Sequence, residues 1–133
     1  MGFKFNPFTG NFDIDTNAPN AASAGDLSET SFALANNQAS AVDVTGFAFA
    51  NATVRSFNAT VSVEIDATAD LFEAVELRGV QKGSGWELSQ TGTGDDSLVL
   101  FSITAAGQIQ YTSANYAGFS SGSIKFRAQT TTV

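Results

Sequence analysis

VRSFNATVSVEID, residues Val54–Asp66, alternates without a break over most of its length. Phe57, Ala59, Val61, Val63 and Ile65 fall on one parity, and Asn58, Thr60, Ser62, Glu64 and Asp66 on the other. Successive side chains of an extended backbone point to opposite faces. The pattern is therefore a strand with one packed and one wet face, as in an antiparallel sheet. Working outward, period-two stretches recur at Thr30–Ala35, Val42–Phe49, Leu71–Val80, Trp86–Gln90, Ser97–Thr104, Gln108–Thr112 and Ser123–Ala128, and no window of eleven or more residues holds a helical period. DATADLFEAVEL, ending at Leu77, carries helix-forming residues and is the weakest of these strands. TAAGQ, residues Thr104–Gln108, reads as a short hairpin connection in which Gly107 supplies a positive φ. KGSG at Lys82–Gly85 and TGTGDD at Thr91–Asp96 read as turns. Short strands at this spacing, without crossover helices, predict an all-β, antiparallel β-sandwich, of which a jelly roll is one form.

The 133-residue chain has room for one such core. Its composition, 43% hydrophobic and 14% charged, is that of a chain that packs. Upstream of the strands the text changes character. Residues Gly2–Ile14 hold four of the twelve phenylalanines (Phe3, Phe5, Phe8, Phe12) around Asn6-Pro7 and Thr9-Gly10 turn signals, and DTNAPNAASAGD from Asp15 to Asp26 has linker composition. The expected organisation is an extended Phe-rich arm over 1–14, a flexible linker over 15–26 and the sandwich over 27–133. Four exposed Phe side chains would be an aggregation hazard, so the arm needs a surface to bury against. Ring burial alone falls short of the entropy lost in fixing that much backbone, and pairing with the sheet edge of a neighbour would make up the difference. The arm is thus expected to be an anchor.

Charge and residue chemistry narrow the function classes. The net charge is -7, and the six basic residues (Lys4, Arg55, Arg78, Lys82, Lys125, Arg127) stand singly, with no stripe that could follow a phosphate backbone. Nucleic acid is not an expected partner. There is no cysteine or histidine, so disulfides, thiolate metal sites and the commonest general base are all missing. The N-terminus lacks an apolar run for a secretion signal, and no stretch is long and apolar enough to span a membrane, so synthesis in the cytoplasm and no membrane partner are expected. The sequons at Asn51 and Asn58 then carry no meaning.

Candidate sites are few. Glu64 and Asp66 share a strand face about 6.5–7 Å apart, a spacing two carboxylates could use, but on the wet side. Asp66–Asp70 and Asp95-Asp96 offer oxygen ligands without an EF-hand spacing, and turn capping is the simpler reading. Gly83/Gly85 and Gly92/Gly94 precede no helix and make weak phosphate cradles. Trp86, Tyr111 and Tyr116 are the rings on which a glycan could stack, and Trp86 and Tyr116 adjoin turn-like text. No catalytic residue, metal or cofactor is expected, and the chain reads as non-enzymatic.

The arm carries a family likeness. FKFNPFTGNFD resembles the FNPFTG-x-(L/F)-D peptide that opens diverse tailed-bacteriophage virion proteins, ahead of unrelated fibre-like or decoration-like bodies. SVEIDATADLFEAVELRGVQKGSGWEL and DDSLVLFSITAAGQIQYTSANYAGFSSGSIKFRA are also similar to domains of phage structural proteins. The resemblance implies a place in the virion, with Phe5, Asn6, Pro7, Phe8, Thr9, Gly10 and Asp13 as matched anchor positions and Phe3 and Phe12 beside them. It implies a major capsid or tail protein as partner and a homotrimer as the assembly. Coiled-coil heptads, collagen-like triplets and β-helical repeats, the usual shafts of tail fibres, do not occur. The expectation is a capsid decoration or cement protein or a stubby fibre, with a glycan-recognising, receptor-binding tail module as the alternative.

Overall fold

The computed structural model describes residues 23–133 in full and residues 2–6 and 11–15 by their backbone pairing. β1 (Gly2–Asn6) and β2 (Asn11–Asp15) pair antiparallel, Gly2 opposite Asp15 and Asn6 opposite Asn11. The anchor positions Pro7, Phe8, Thr9 and Gly10 lie outside the described residues, as do the side chains of Phe3, Phe5, Asn6, Phe12 and Asp13.

The body is an antiparallel β-sandwich. Its strands are β3 (Leu27–Ala33), β4 (Val42–Ala48), β5 (Val54–Asp66), β6 (Leu71–Lys82), β7 (Gly85–Gly94), β8 (Leu100–Ile103), β9 (Gln108–Thr112) and β10 (Ser121–Thr132). Five form one sheet in the order β3-β10-β5-β6-β7, and three form the other in the order β4-β9-β8. β5 is central, pairing with β10 (Ile124 opposite Val63) and with β6 (Val61 opposite Val75). Phe57, Ala59, Val61, Val63 and Ile65 are buried and the intervening residues exposed, as the alternation requires.

Two stacked ring pairs join the sheets face to face. Phe47 lies on Phe126 with centroids 4.2 Å apart and planes 4° apart, and Phe49 lies on Phe57 at 4.0 Å and 9°. Trp86 closes this end, 5.8 Å from Phe57 and 6.2 Å from Phe49. Gly79, directly opposite Phe57, leaves room for its ring on the inner face.

Two local readings meet tertiary structure. The helix-leaning text at 71–77 is a strand, because Leu71, Val75 and Leu77 share the inward parity of β6 and both its edges are hydrogen-bonded. TGTGDD is not a turn over its whole length: β7 continues through Gly94, with Thr91 opposite Glu76 and Thr93 opposite Ala74. Gly92 there makes room for another side chain. A Cβ at this position would collide with the carboxylate of Glu73, which reaches across it to the backbone N–H and hydroxyl of buried Ser97.

The free edge of β8 is closed by a side chain. Gln90 donates from Nε2 to the Val99 carbonyl (3.0 Å) and accepts at Oε1 from the Phe101 N–H (3.0 Å), taking the place of a neighbouring peptide group. Gly107 adopts φ +90 in the β8–β9 hairpin, as its place in TAAGQ predicts.

Candidate functional site

Strand direction divides the body into two poles. β3, β5, β7 and β9 run away from the pole at which the body begins, and β4, β6, β8 and β10 return to it. The first pole holds residues 23–26, the connection 49–53, the hairpin tip Gly83-Ser84 and the C-terminal Val133. The second is made of the four connections 34–41, 67–70, 95–99 and 113–120.

Asp26 builds the first pole. Its Oδ1 accepts from the Thr130 N–H (2.7 Å) and its Oδ2 from the Ser23 N–H (3.0 Å). The Thr130 hydroxyl stands 2.7 Å from Oδ1 and 3.0 Å from the Ala24 carbonyl, and its single proton serves one or the other. Burial acts to raise the Asp26 pKa, but the bonds from the Thr130 hydroxyl, the Thr130 N–H and the Ser23 N–H outweigh it and hold the carboxyl below its ordinary value. Val133 donates to the Thr53 carbonyl at 3.0 Å. Residues 23–26 and the C-terminal Val133 therefore lie at the same pole. Trp86 lies at this pole too, donating from Nε1 to Asn51 Oδ1 (2.8 Å), with its ring half-buried.

The second pole is a cross-braced set of loops. Asn36 donates to Asn115 Oδ1 (3.1 Å) and accepts from the Tyr116 N–H (2.8 Å), and the Asn37 N–H reaches the Ala114 carbonyl (2.8 Å). Thr68 and Ser120 tie 67–70 to 113–120 through backbone bonds to Ala117 and Asp66. Tyr116 is 8% exposed, its hydroxyl donates to the Ser97 carbonyl, and burial pushes its phenol pKa up. Tyr111 is buried as well, accepting from the Ala35 N–H at 2.9 Å. Of the three rings weighed as glycan platforms, Trp86 alone is not buried.

The acidic residues serve this pole's backbone. Asp70 Oδ1 accepts from Ala67 (3.2 Å), Asp95 Oδ2 from Phe72 (3.0 Å) and Asp96 Oδ1 from Leu98 (3.1 Å), the capping roles their turn positions suggest. Glu64 and Asp66 are exposed on the outer face of the five-stranded sheet. Among the described residues no group of three acidic, histidine or cysteine side chains is arranged to hold a metal, and no helix is long and apolar enough to cross a membrane.

Four basic residues that stand singly in the chain fall on one face of the five-stranded sheet, two of them ion-paired, Arg78 with Glu76 (2.7 Å) and Lys82 with Glu87 (2.8 Å). Arg78, Lys82, Lys125 and Arg127 share the outward parity of the five-stranded sheet, where Arg127 faces Thr60, Lys125 faces Ser62 and Arg78 faces Asn58 across strands. A shallow depression beside Arg127 is lined also by Asp26, Ser28, Asn58, Thr60 and Gln129. Their outward parity is legible in the sequence once the strands are placed; their place on one sheet depends on the pairing of β10 with β5 and of β5 with β6, which is not.

No family model matches the chain, and no curated protein matches it. Among solved structures it is similar to the crystal structure of the tailspike protein of Acinetobacter phage vB_ApiP_P1, with a TM-score of 0.53 at 14% sequence identity. The likeness covers 92% of this chain and 26% of the tailspike chain, so this protein spans about a quarter of that one's length. At that identity the likeness is one of fold.

Proposed function

We propose that this protein is a non-enzymatic structural component of the outer surface of a tailed-phage particle, held there by residues 2–14 through a major capsid or tail protein. The observation that carries the reading is the agreement of two independent likenesses. The FNPFTG peptide resembles an anchoring arm of virion proteins, and the body shares its fold with part of a phage tailspike. Fold alone does not assign function, but one likeness is read from the sequence and the other from the fold, and both point to the same kind of particle. The absence of histidine and cysteine supports a non-catalytic role, and so do carboxylates engaged in capping turns. The tailspike likeness favours the tail over the capsid, and a homotrimer is the assembly we propose. Deleting residues 2–14 tests the anchor: the deleted chain should fold with an unchanged melting temperature and be missing from purified particles. Incorporation at the wild-type level would refute the anchoring role.

A second reading, a tail module that recognises host glycans, also draws on the tailspike fold. Trp86 is the ring with surface to offer it, and loss of glycan-array binding on Trp86→Ala is the result it requires.

A further inference from the structure

The outer strands of a sheet present open rows of N–H and C=O groups, and three of the four edges of this body carry a device that blunts the row. β3 bulges against β10, spending one residue more than its partner between Leu27 and Thr30. β4 bulges between Asp43 and Ala48, where the Gln108 amide takes the carbonyls of Val44 and Phe47. β8 is four residues long and closed by Gln90. β7 has none of these. It runs for ten residues in unbroken register with β6, without proline, lysine or arginine, and Glu87 is its one charge. The register also fixes which peptide groups are left over. The Asp95 N–H bonds the Phe72 carbonyl at 3.0 Å, so the even-numbered residues of β6 turn their peptide groups toward β7, where Glu87, Ser89, Thr91 and Thr93 meet them. Trp86, Leu88, Gln90 and Gly92 therefore point N–H and C=O off the sheet, and none of these groups enters a turn or loop bond among the described residues.

We propose that the β7 edge pairs antiparallel with the β7 edge of a second copy of this chain, about a twofold axis at the middle of the strand, at Ser89 or Gln90. Two five-stranded sheets become one, with about eight interchain backbone hydrogen bonds. The strand is complementary to itself in this arrangement. Glu87 faces Thr91 or Thr93 of the second copy, and no two carboxylates meet. An axis at Thr91 would set Glu87 against Asp95, and one at Glu87 would set that carboxylate against itself. A foreign peptide has less to grip, because the outer face of the strand is Glu87, Ser89, Thr91 and Thr93, with no apolar pocket to select its side chains. The contact is isologous and closes at two chains, so it adds to the homotrimer proposed above by joining one threefold set to another. It does not depend on where the arm docks.

Sedimentation velocity of the purified full-length chain across about 1–100 µM should show the sedimenting mass double as concentration rises. Ser89→Lys combined with Thr91→Lys sets lysine against lysine across either axis and should weaken the doubling tenfold or more. Both side chains are exposed, so the melting temperature of that variant should not change, which separates an edge contact from a folding defect. The chain has no cysteine, so disulfides report the pairing directly. Facing residues of a non-hydrogen-bonded pair stand within disulfide reach. Ser89→Cys should link to itself if the axis is at Ser89, and mixed Ser89→Cys and Thr91→Cys chains should link to each other if it is at Gln90. A mass that ignores concentration, a doubling that survives the two lysines, or the absence of both disulfides would overturn the proposal. A chain missing from purified particles would remove the anchored reading and leave the pairing as measured.

Discussion

Gly79→Ala sets two effects of opposite sign against each other. Alanine is the better strand residue, and relief of glycine's entropy alone would stabilise the protein by about 0.5–1 kcal/mol. The structure puts Phe57 in the way: a Cβ on Gly79 would stand 2.6 Å from Cζ of that ring and nearer still to Cε1. The ring cannot easily retreat, because Phe49 is stacked on it at 4.0 Å and Trp86 stands 5.8 Å off. Overpacking of a closed site costs about 1–3 kcal/mol, so the net expectation is a loss of roughly 1–2 kcal/mol. In a domain of this size that lowers the melting temperature by roughly 4–10 °C. Thermal melts followed by circular dichroism, with urea titrations for the free energy, measure it. Phe57→Leu, which thins the obstructing ring, should reduce the additional cost of Gly79→Ala when the two are combined. A Gly79→Ala protein as stable as wild type would mean that Phe57 does not cover Gly79, and the pairing of β5 with β6 would have to be redrawn.

Other outcomes follow from single contacts. Gln90→Ala removes both bonds that close the β8 edge; it should cost about 1–2 kcal/mol and raise self-association in sedimentation velocity, whereas an unchanged sedimentation profile would deny the edge-closing role. Tyr111→Phe strands the Ala35 N–H, and denaturant titration should show a loss of about 1 kcal/mol. The Asp26 carboxyl has a folded pKa below its unfolded value, so its contribution is present above the unfolded pKa and is lost as pH falls through the folded one. Asp26→Asn should therefore lower the melting temperature near neutral pH and narrow its gap to wild type as the solution is acidified below about pH 4; a gap that stays constant would contradict the linkage.

The parity of Val54–Asp66 was enough to orient the central strand, because every second residue there is apolar and no polar residue interrupts the inward set. Leu71–Leu77 was harder: Glu73, Ala74 and Glu76 favour a helix locally, and the strand exists because β5 and β7 bond both its edges. TGTGDD looked like a turn because glycines usually mark one, yet Gly92 is there to let Glu73 reach Ser97. Tyr116 sits in turn-like text and is nonetheless interior, since its hydroxyl finds a carbonyl nineteen residues away across a loop. The poles themselves were beyond local reading. Which loops gather, and which terminus leaves beside which, depends on strand order, and strand order is a property of long-range pairing that no local pattern encodes.

Cryo-electron microscopy of the assembled particle tests the central claim most directly. The account predicts density for the sandwich on the outer surface of the particle. A particle that carries no copy of the chain, or that holds it wholly inside, would contradict it.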